Sequence, residues 1–356
     1  FLLIDEPTNH LDQAAREKVG DYLSGKQGFI LVSHDRRLLD RAIDHVLSIN
    51  KADIQVQKGN FTTWWKNKQR QDDYELAQNE KLAQEIKRLD QSARQGRAWS
   101  NQVEKTKYGQ KNAGVKADKG YIGAKSAKMM QRAKNNQRRK EAAAEEKAGL
   151  LRNIERREFL ELRPAAYHSQ RLVEADQLSL YYGEREICHA LSFTLEQGQR
   201  LALSGPNGSG KSSLLKLLRG EAIRHSGYLR LGGGLIISYV PQDTSFLQGG
   251  MDGYIREAGI DETLFKSFLR KLDFPRLQFA KDLAQLSQGQ KKKVLLARSL
   301  AENAHLYLWD EPLNYIDVIS RLQIEELLLA ACPSLIFVEH DQAFCEKIAT
   351  QTLHLG

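Results

Sequence analysis

Short apolar runs alternate with helical patterns along most of this chain, and that alternation predicts an α/β protein. The run within 28–33 has the length of a buried strand, whereas 13–24 and 36–42 carry apolar residues at helical spacing. Strands and helices that alternate in this way favour parallel sheets covered by helices. From 171 to the end the same alternation continues, and it predicts a second, complete α/β domain over 171–356.

The pattern changes between these two parts. Residues 64–165 are rich in charge and helix formers, and they predict an interdomain segment of two antiparallel helices. Five glycines mark a basic loop at about 96–124, and Pro164 ends the second helix. A helix of about 25 residues is about 40 Å long. We therefore expect a projecting arm with a long loop at its tip.

Two stretches occur twice. FLLIDEPTNHLD at 1–12 matches LYLWDEPLNYID at 306–317, and FILVSHD at 29–35 matches LIFVEHD at 335–341. Two paired matches at nearly the same spacing indicate an internal repeat. We expect residues 1–63 to be the C-terminal part of a first copy of the domain in 171–356.

A phosphate-binding loop is predicted at 205–213, which reads GPNGSGKSS. It follows the apolar run RLALS and opens a helical pattern, as the G-x-x-x-x-G-K-[ST] motif requires. Backbone N–H groups of such a loop form an anion nest. Lys211 is expected to reach the β- and γ-phosphates, and Ser212 to hold Mg²⁺. The other predicted nucleotide contacts in this loop are Gly205, Asn207, Gly208, Gly210 and Ser213.

The Asp-Glu pairs follow predicted strands in both copies. Asp310 suits a magnesium partner, and Glu311 suits a general base that activates water. A strand-end Asp-Glu is on its own more often a helix cap or a solvated pair. The match at Asp5 and Glu6 favours the catalytic interpretation.

A third motif, LSQGQ, precedes a helical pattern from 288 onwards. Ser287, Gly289 and Gln290 lie where free N–H groups and the helix dipole favour an anion. The alternative is an ordinary N-cap. Gln242, in YVPQD, lies between this motif and the phosphate loop.

The order of the motifs resembles that of an ATP-binding-cassette (ABC) ATPase: the phosphate loop comes first, followed by Gln242, LSxGQ, the Asp-Glu pair and a strand-end His. The resemblance implies ATP and Mg²⁺ as cofactors, with His340 and His34 near the γ-phosphate. It further implies that Gln242 and Asp5 belong to the magnesium ligands. Tyr182 is a candidate platform for adenine, with Tyr181 or plain core packing as alternatives.

Two such domains joined by a charged arm, with no apolar run long enough to span a bilayer, resemble the ABC-F family of ribosome-binding translation ATPases. DEPTNHLD is typical of that family. The loop 99–134 and WDEPLNYIDV at 309–318 resemble its antibiotic-resistance branch. The resemblance implies a cytoplasmic ATPase that protects the ribosome from lincosamides, streptogramin A or pleuromutilins. Implied partners are large-subunit rRNA near the E site and the P-site tRNA, without a membrane or transmembrane partner.

Charge supports a polyanionic partner. The chain carries +8 overall, yet residues 91–140 hold 14 Lys and Arg against 2 acidic residues, a net +12. Trp99, Tyr108 and Tyr121 lie in the same segment and are candidates to stack on unpaired bases. The three cysteines lack metal-type spacing, which predicts reduced thiols.

Three other classes compete with this prediction. An ABC transporter ATPase would need no basic arm, and a DNA-repair ABC ATPase would need heptad coiled coils or paired cysteines. An ABC-F translation factor without a resistance role differs only in the loop.

In ABC proteins two domains enclose two ATPs head to tail. Because the first copy is expected to be incomplete, we expect each composite site of this chain to lack one side.

Overall fold

The computed structural model describes residues 1–8, 11–26, 28–49, 54–71 and 162–355, together with scattered positions between 73 and 138. The chain divides into two compact units. One comprises Phe1–Trp64 with Arg157–Gly356, and the other Trp65–Arg156. The described residues of the latter are all helical. The predicted basic loop at 96–124, with Trp99, Tyr108 and Tyr121, lies outside the described residues.

Within the first of these units, residues 1–58 form a small α/β region. We number the strands and helices of that unit in chain order. Strands β1 and β2 pair in parallel, from Leu2 opposite Phe29 to Asp5 opposite Val32. β3 and β4 form an antiparallel hairpin. The elements are β1 Leu2–Asp5, α1 Gln13–Ser24, β2 Phe29–Val32, α2 Arg36–Ala42, β3 His45–Ile49 and β4 Ile54–Lys58.

Residues 171–355 form a larger α/β domain with two sheets. Its first half is β5 Arg171–Tyr182, β6 Arg185–Glu196, β7 Arg200–Ser204, α3 Lys211–Arg219, β8 Arg224–Leu231, β9 Ile237–Val240, α4 Met251–Ala258 and α5 Glu262–Lys271. Its second half is α6 Gln288–Ala301, β10 Leu306–Asp310, α7 Val318–Ala331, β11 Leu335–Val338, α8 Gln342–Ile348 and β12 Gln351–His354. Short 3₁₀ turns occupy Arg276–Ala280 and Leu283–Gln285.

The central sheet is parallel and runs in the order β12-β7-β11-β10-β9. Every residue of β10 and β11 is buried, as expected of strands covered on both faces. Trp309 on β10 is fully buried, and its indole N–H donates to Ser299 Oγ at 2.9 Å. Because these strands are parallel, the residues that follow β7, β9, β10 and β11 meet at one edge of the sheet.

A second sheet, in the order β6-β5-β8, is antiparallel and lies on its own core. That core includes Leu178, Leu180 and Leu195 and also contacts Leu203 and Leu214 near the phosphate loop. The α/β fold class predicted from the sequence is therefore confirmed. The boundaries proposed for the interdomain segment stay predictions.

Among the residues that the structure describes, no helix is both long and apolar enough to cross a membrane.

Candidate nucleotide-binding site

The phosphate loop lies at the carboxyl end of β7 and leads directly into α3. Gly210 has φ 92°, a left-handed conformation that favours glycine. A Cβ at this position would lie 2.3 Å from Cys188 Sγ and 2.7 Å from Ile187 Cγ2. The glycine is therefore required both by its backbone angle and by the close approach of β6. Gly205 and Gly208 also have positive φ.

Lys211 is buried at the start of α3, and its ammonium group turns back onto the loop. Nζ donates to Gly205 O at 2.8 Å and to Pro206 O at 2.7 Å. Burial lowers the pKa of Lys211, although nearby carboxylates oppose that shift. Ser209 Oγ, in the same loop, is buried without a hydrogen-bond partner. The loop therefore holds a cation and an unpaired hydroxyl, both of which suit a phosphate. Asn207 is exposed, and Ser213 follows Ser212 in the first turn of α3.

Ser212 and Asp310 lie side by side although they are far apart in sequence. Ser212 Oγ donates to Asp310 Oδ1 at 3.1 Å. Burial raises the pKa of Asp310, and the hydrogen bond from Ser212 opposes this rise. No group of three or more His, Cys, Asp or Glu side chains in the described ranges could hold a metal by itself. Mg²⁺ commonly binds through one or two carboxylates plus substrate phosphates, and this pair fits that kind of site.

Glu311 follows Asp310 and has φ 46°. Its carboxylate accepts from Gln242 Nε2 at 2.8 Å and from Asn314 Nδ2 at 2.5 Å. His340 Nε2 lies 3.5 Å from Glu311 Oε1. Burial opposes ionisation of Glu311, but His340, Gln242 and neighbouring positive charge outweigh it and lower the pKa of Glu311. The carboxylate is therefore held charged, as a general base must be.

The LSQGQ motif forms the start of α6. Ser287 is the N-cap: Gln290 N donates to Ser287 Oγ, and Gln290 Oε1 accepts from Ser287 N at 3.1 Å. This capping box is the ordinary alternative considered for the motif, and it is present. Gly289 has a further constraint, because a Cβ there would lie 2.5 Å from Tyr315 O. Anion binding by Ser287, Gly289 and Gln290 stays a prediction.

The first repeat reproduces the backbone geometry and the Glu-His proximity of the second. Glu6 has φ 43°, and its N–H donates to Val32 O at 2.8 Å, as Glu311 N–H does to Val338 O at 3.0 Å. His34 Nε2 lies 3.3 Å from Glu6 Oε1. Burial raises the pKa of Glu6 and lowers the pKa of His34. Asp5 ends β1 in the position that Asp310 has at the end of β10.

The two tyrosines at the end of β5 differ in environment. Tyr182 is 50% exposed. Tyr181 is partly buried, its hydroxyl lies 3.3 Å from Ser226 Oγ, and Arg224 lies over its ring. An exposed ring is available for stacking on a base, so Tyr182 remains the candidate for adenine.

Sequence reasoning missed several buried charges near the site. Lys292 is 1% exposed and donates to Pro241 O at 2.8 Å and to Asp310 O at 3.3 Å. Burial lowers the pKa of Lys292 to about 8. Arg321 is also buried, and Arg16 occupies the matching place in the first repeat. The offset of 305 residues that relates the Asp-Glu pairs also relates these arginines, so the repeat could have revealed them.

A family model described as "ABC transporter" matches residues 188–314. The chain is 30% identical over 99% of its length to ATP-binding protein Uup of Caulobacter vibrioides, covering 55% of that protein. It is 27% identical to Ribosome protection protein VmlR of Bacillus subtilis, over 99% of this chain and 64% of that protein. It is 26% identical to Energy-dependent translational throttle protein EttA of Escherichia coli K12, over 99% of this chain and 60% of that protein.

The chain thus spans about half to two thirds of the length of these relatives. Among solved structures, one titled "RNase-L Inhibitor" matches with a TM-score of 0.60 and 18% identity, over 99% of this chain and 57% of that one. That similarity concerns the fold. The family resemblance predicted from the motifs is confirmed: residues 188–314 match an ATP-binding-cassette domain, and the chain is similar over 99% of its length to the ABC-F proteins named above.

Proposed function

We propose that this chain binds ATP with Mg²⁺ at the carboxyl edge of its central sheet and that it hydrolyses ATP. The observation that carries the proposal is the convergence of a buried lysine, a Ser-Asp pair and a Glu-His pair at that edge. Lys211 contacts the loop carbonyls, Ser212 contacts Asp310, and His340 lies 3.5 Å from Glu311.

Each of these side chains has a role that its contacts support. Lys211 exchanges its carbonyl partners for phosphate oxygens, and Ser209 gains the partner that its hydroxyl lacks. Ser212 and Asp310 hold Mg²⁺. Gln242 is connected to this pair because its amide donates to the carboxylate of Glu311, the residue after Asp310. Bound Mg²⁺ neutralises phosphate charge during phosphoryl transfer. Glu311 orients and activates the attacking water.

His340 has the γ-phosphate role in this proposal, and Asp5, Glu6 and His34 have the matching roles in the first repeat. Ser287, Gly289 and Gln290 complete the nucleotide contacts from the opposite domain of an ABC pair. Support for the first-repeat roles is the similar separation of the two Glu-His pairs, 3.3 Å and 3.5 Å.

The nucleotide proposal is tested by thermal shift with ATP and Mg²⁺. Wild type should unfold at a higher temperature in ATP, and Lys211→Ala should lose that gain, because it removes the only side-chain cation proposed to contact phosphate. Lys281→Ala, an exposed lysine outside the loop, is the charge-matched control and should keep the gain. Equal protection of wild type and Lys211→Ala would refute the site.

We further propose that the protein acts on the ribosome in the cytoplasm. Two of its relatives bear names that refer to the ribosome or to translation. The net +12 of residues 91–140 suits rRNA phosphates. Co-sedimentation with ribosomes should therefore weaken steeply as salt is raised. Binding that does not respond to salt would contradict this charge-based contact.

Protection against antibiotics at the peptidyl-transferase centre is the more specific candidate, with the E-site region of rRNA and the P-site tRNA as contacts. The resemblance of loop 99–134 to the resistance branch favours it over a translation factor without a resistance role. Replacing 99–123 by a short Gly-Ser turn should keep the gain in unfolding temperature that ATP gives and should abolish antibiotic resistance in a drug-sensitive host. Unchanged inhibitory concentrations would favour the plain translation factor.

A further inference from the structure

Arg321 is a buried guanidinium that connects three segments around the candidate site. Its side chain is 8% exposed. Nε donates to Ile316 O at 2.9 Å, and Nη1 donates to Asp341 Oδ2 and to His34 O, each at 3.2 Å. Ile316 belongs to the turn after Glu311, Asp341 follows His340 directly, and His34 belongs to the first repeat.

A matching set of arginine contacts occurs in the first repeat. Arg16 Nε donates to Leu11 O at 2.9 Å, and Arg16 Nη1 lies 3.2 Å from Asp35 Oδ2. Asp35 follows His34 as Asp341 follows His340. Two arginines that make matched contacts at matched positions are unlike chance surface pairs. Among the described contacts, however, only Arg321 reaches across to a histidine of the other repeat.

The partners of Arg321 are themselves held in place. Asp341 caps α8 by accepting from Phe344 N at 3.1 Å. His340 N–H donates to Glu339 Oε1 at 2.9 Å, which fixes the backbone beside Asp341. The turn contacted through Ile316 also presents Tyr315 O to Gly289 of the LSQGQ motif. A shift of Arg321 would therefore move a histidine loop and the turn behind the motif together.

A guanidinium suits this task because it is planar, permanently charged and presents its donors in a fixed fork. We propose that Arg321 is a positioning residue that holds the loop of His340 against Glu311 and connects it to the loop of His34. It thereby sets the preference of the Lys211 site for ATP over ADP. This inference rests on the proposed ATP site and on the γ-phosphate role of His340 within it.

The experiment compares dissociation constants for ATP and ADP, each with Mg²⁺, in wild-type chain and variants. Arg321→Met should lower the ATP-to-ADP affinity ratio about tenfold, equivalent to about 1.4 kcal/mol, while ADP affinity changes less than about twofold. A residue with a merely structural role would weaken both nucleotides alike. Arg321→Lys keeps the charge without the fork and should give an intermediate ratio; it also serves if Arg321→Met folds poorly.

Two further variants make the test specific. Arg16→Met removes the matched contacts in the first repeat and should leave the ratio at the Lys211 site unchanged. Arg321→Met combined with His340→Ala should be no worse than His340→Ala alone, because both act through one histidine. Equal losses of ATP and ADP affinity, or an equal effect of Arg16→Met, would overturn the inference. If Lys211→Ala bound ATP as well as wild type, the proposed function would fail, and this inference with it.

Discussion

Among the described ion pairs between residues 1–58 and the larger domain, that of Arg36 with Glu325 is the most buried, and its removal should be costly. Arg36 Nη2 lies 2.5 Å from Glu325 Oε1 and 3.5 Å from Asp341 Oδ1. The side chain of Glu325 is 0% exposed and that of Arg36 is 11% exposed. Arg36→Met would leave the buried carboxylates of Glu325 and Asp341 with less neighbouring positive charge.

The structure sets the size of the effect. Removing one partner of a buried ion pair costs about 3–5 kcal/mol, because the other charge stays buried. Here Glu325 keeps Lys347 at 2.9 Å, and Asp341 keeps Arg321. We therefore expect a loss of about 2–4 kcal/mol in the free energy of unfolding.

The neighbouring Arg37 provides a matched control. It pairs with Glu346 and Gln342 of the larger domain, but the side chains of Arg37 and Glu346 are 48% and 61% exposed. Exposed pairs contribute about 0–1 kcal/mol, so Arg37→Met should cost less than about 1 kcal/mol.

Urea denaturation followed by tryptophan fluorescence measures both losses on the full chain. The double variant Arg36→Met with Glu325→Met should recover at least about half of the loss, because a buried pair replaced by apolar side chains is often neutral. Equal, small losses for Arg36→Met and Arg37→Met would show that burial does not set the cost of losing these ion pairs.

Three further outcomes follow from local geometry. Gly210→Ala should lower the urea midpoint clearly more than Gly208→Ala, since only Gly210 has atoms in the way of a Cβ; equal midpoints would contradict the close approach. Titration with a thiol reagent at pH 8 should label exposed Cys332 first, because burial raises the pKa of Cys188 to about 11; a fast phase that survives Cys332→Ser would contradict this. Asp310→Asn should remove the part of ATP protection that depends on Mg²⁺, and protection that still rises with Mg²⁺ would place the metal elsewhere.

The repeat carried most of what the sequence could predict. Its matched Asp-Glu and His-Asp stretches predicted two equivalent strand pairs, and the strands pair with the same register relative to Asp5 and Asp310. Helices predicted at 13–24 and 36–42 are present with those bounds. The starts of these two helices were predictable because Asp12 and Asp35 precede them as N-caps, and such caps depend only on nearby residues.

Contacts between distant parts of the chain were not predictable in the same way. Arg36 pairs with Glu325, yet Gln342 and Gly20 occupy the matching positions in the other repeat, so the repeat gives no sign of this contact. Lys292 lies within a run of three lysines, and a charged run usually indicates a solvated face. Its burial is set by β9 and β10, which meet it only in the folded domain.

We propose that ATP occupies the loop 205–213 with Mg²⁺ between Ser212 and Asp310. An experimental structure of this chain with Mg²⁺ and a non-hydrolysable ATP analogue tests it most directly. We expect phosphate oxygens on Lys211 Nζ in place of Gly205 O and Pro206 O, the metal on Ser212 Oγ, and the γ-phosphate facing His340. A nucleotide bound elsewhere, with Lys211 still hydrogen-bonded to its own loop, would contradict this proposal.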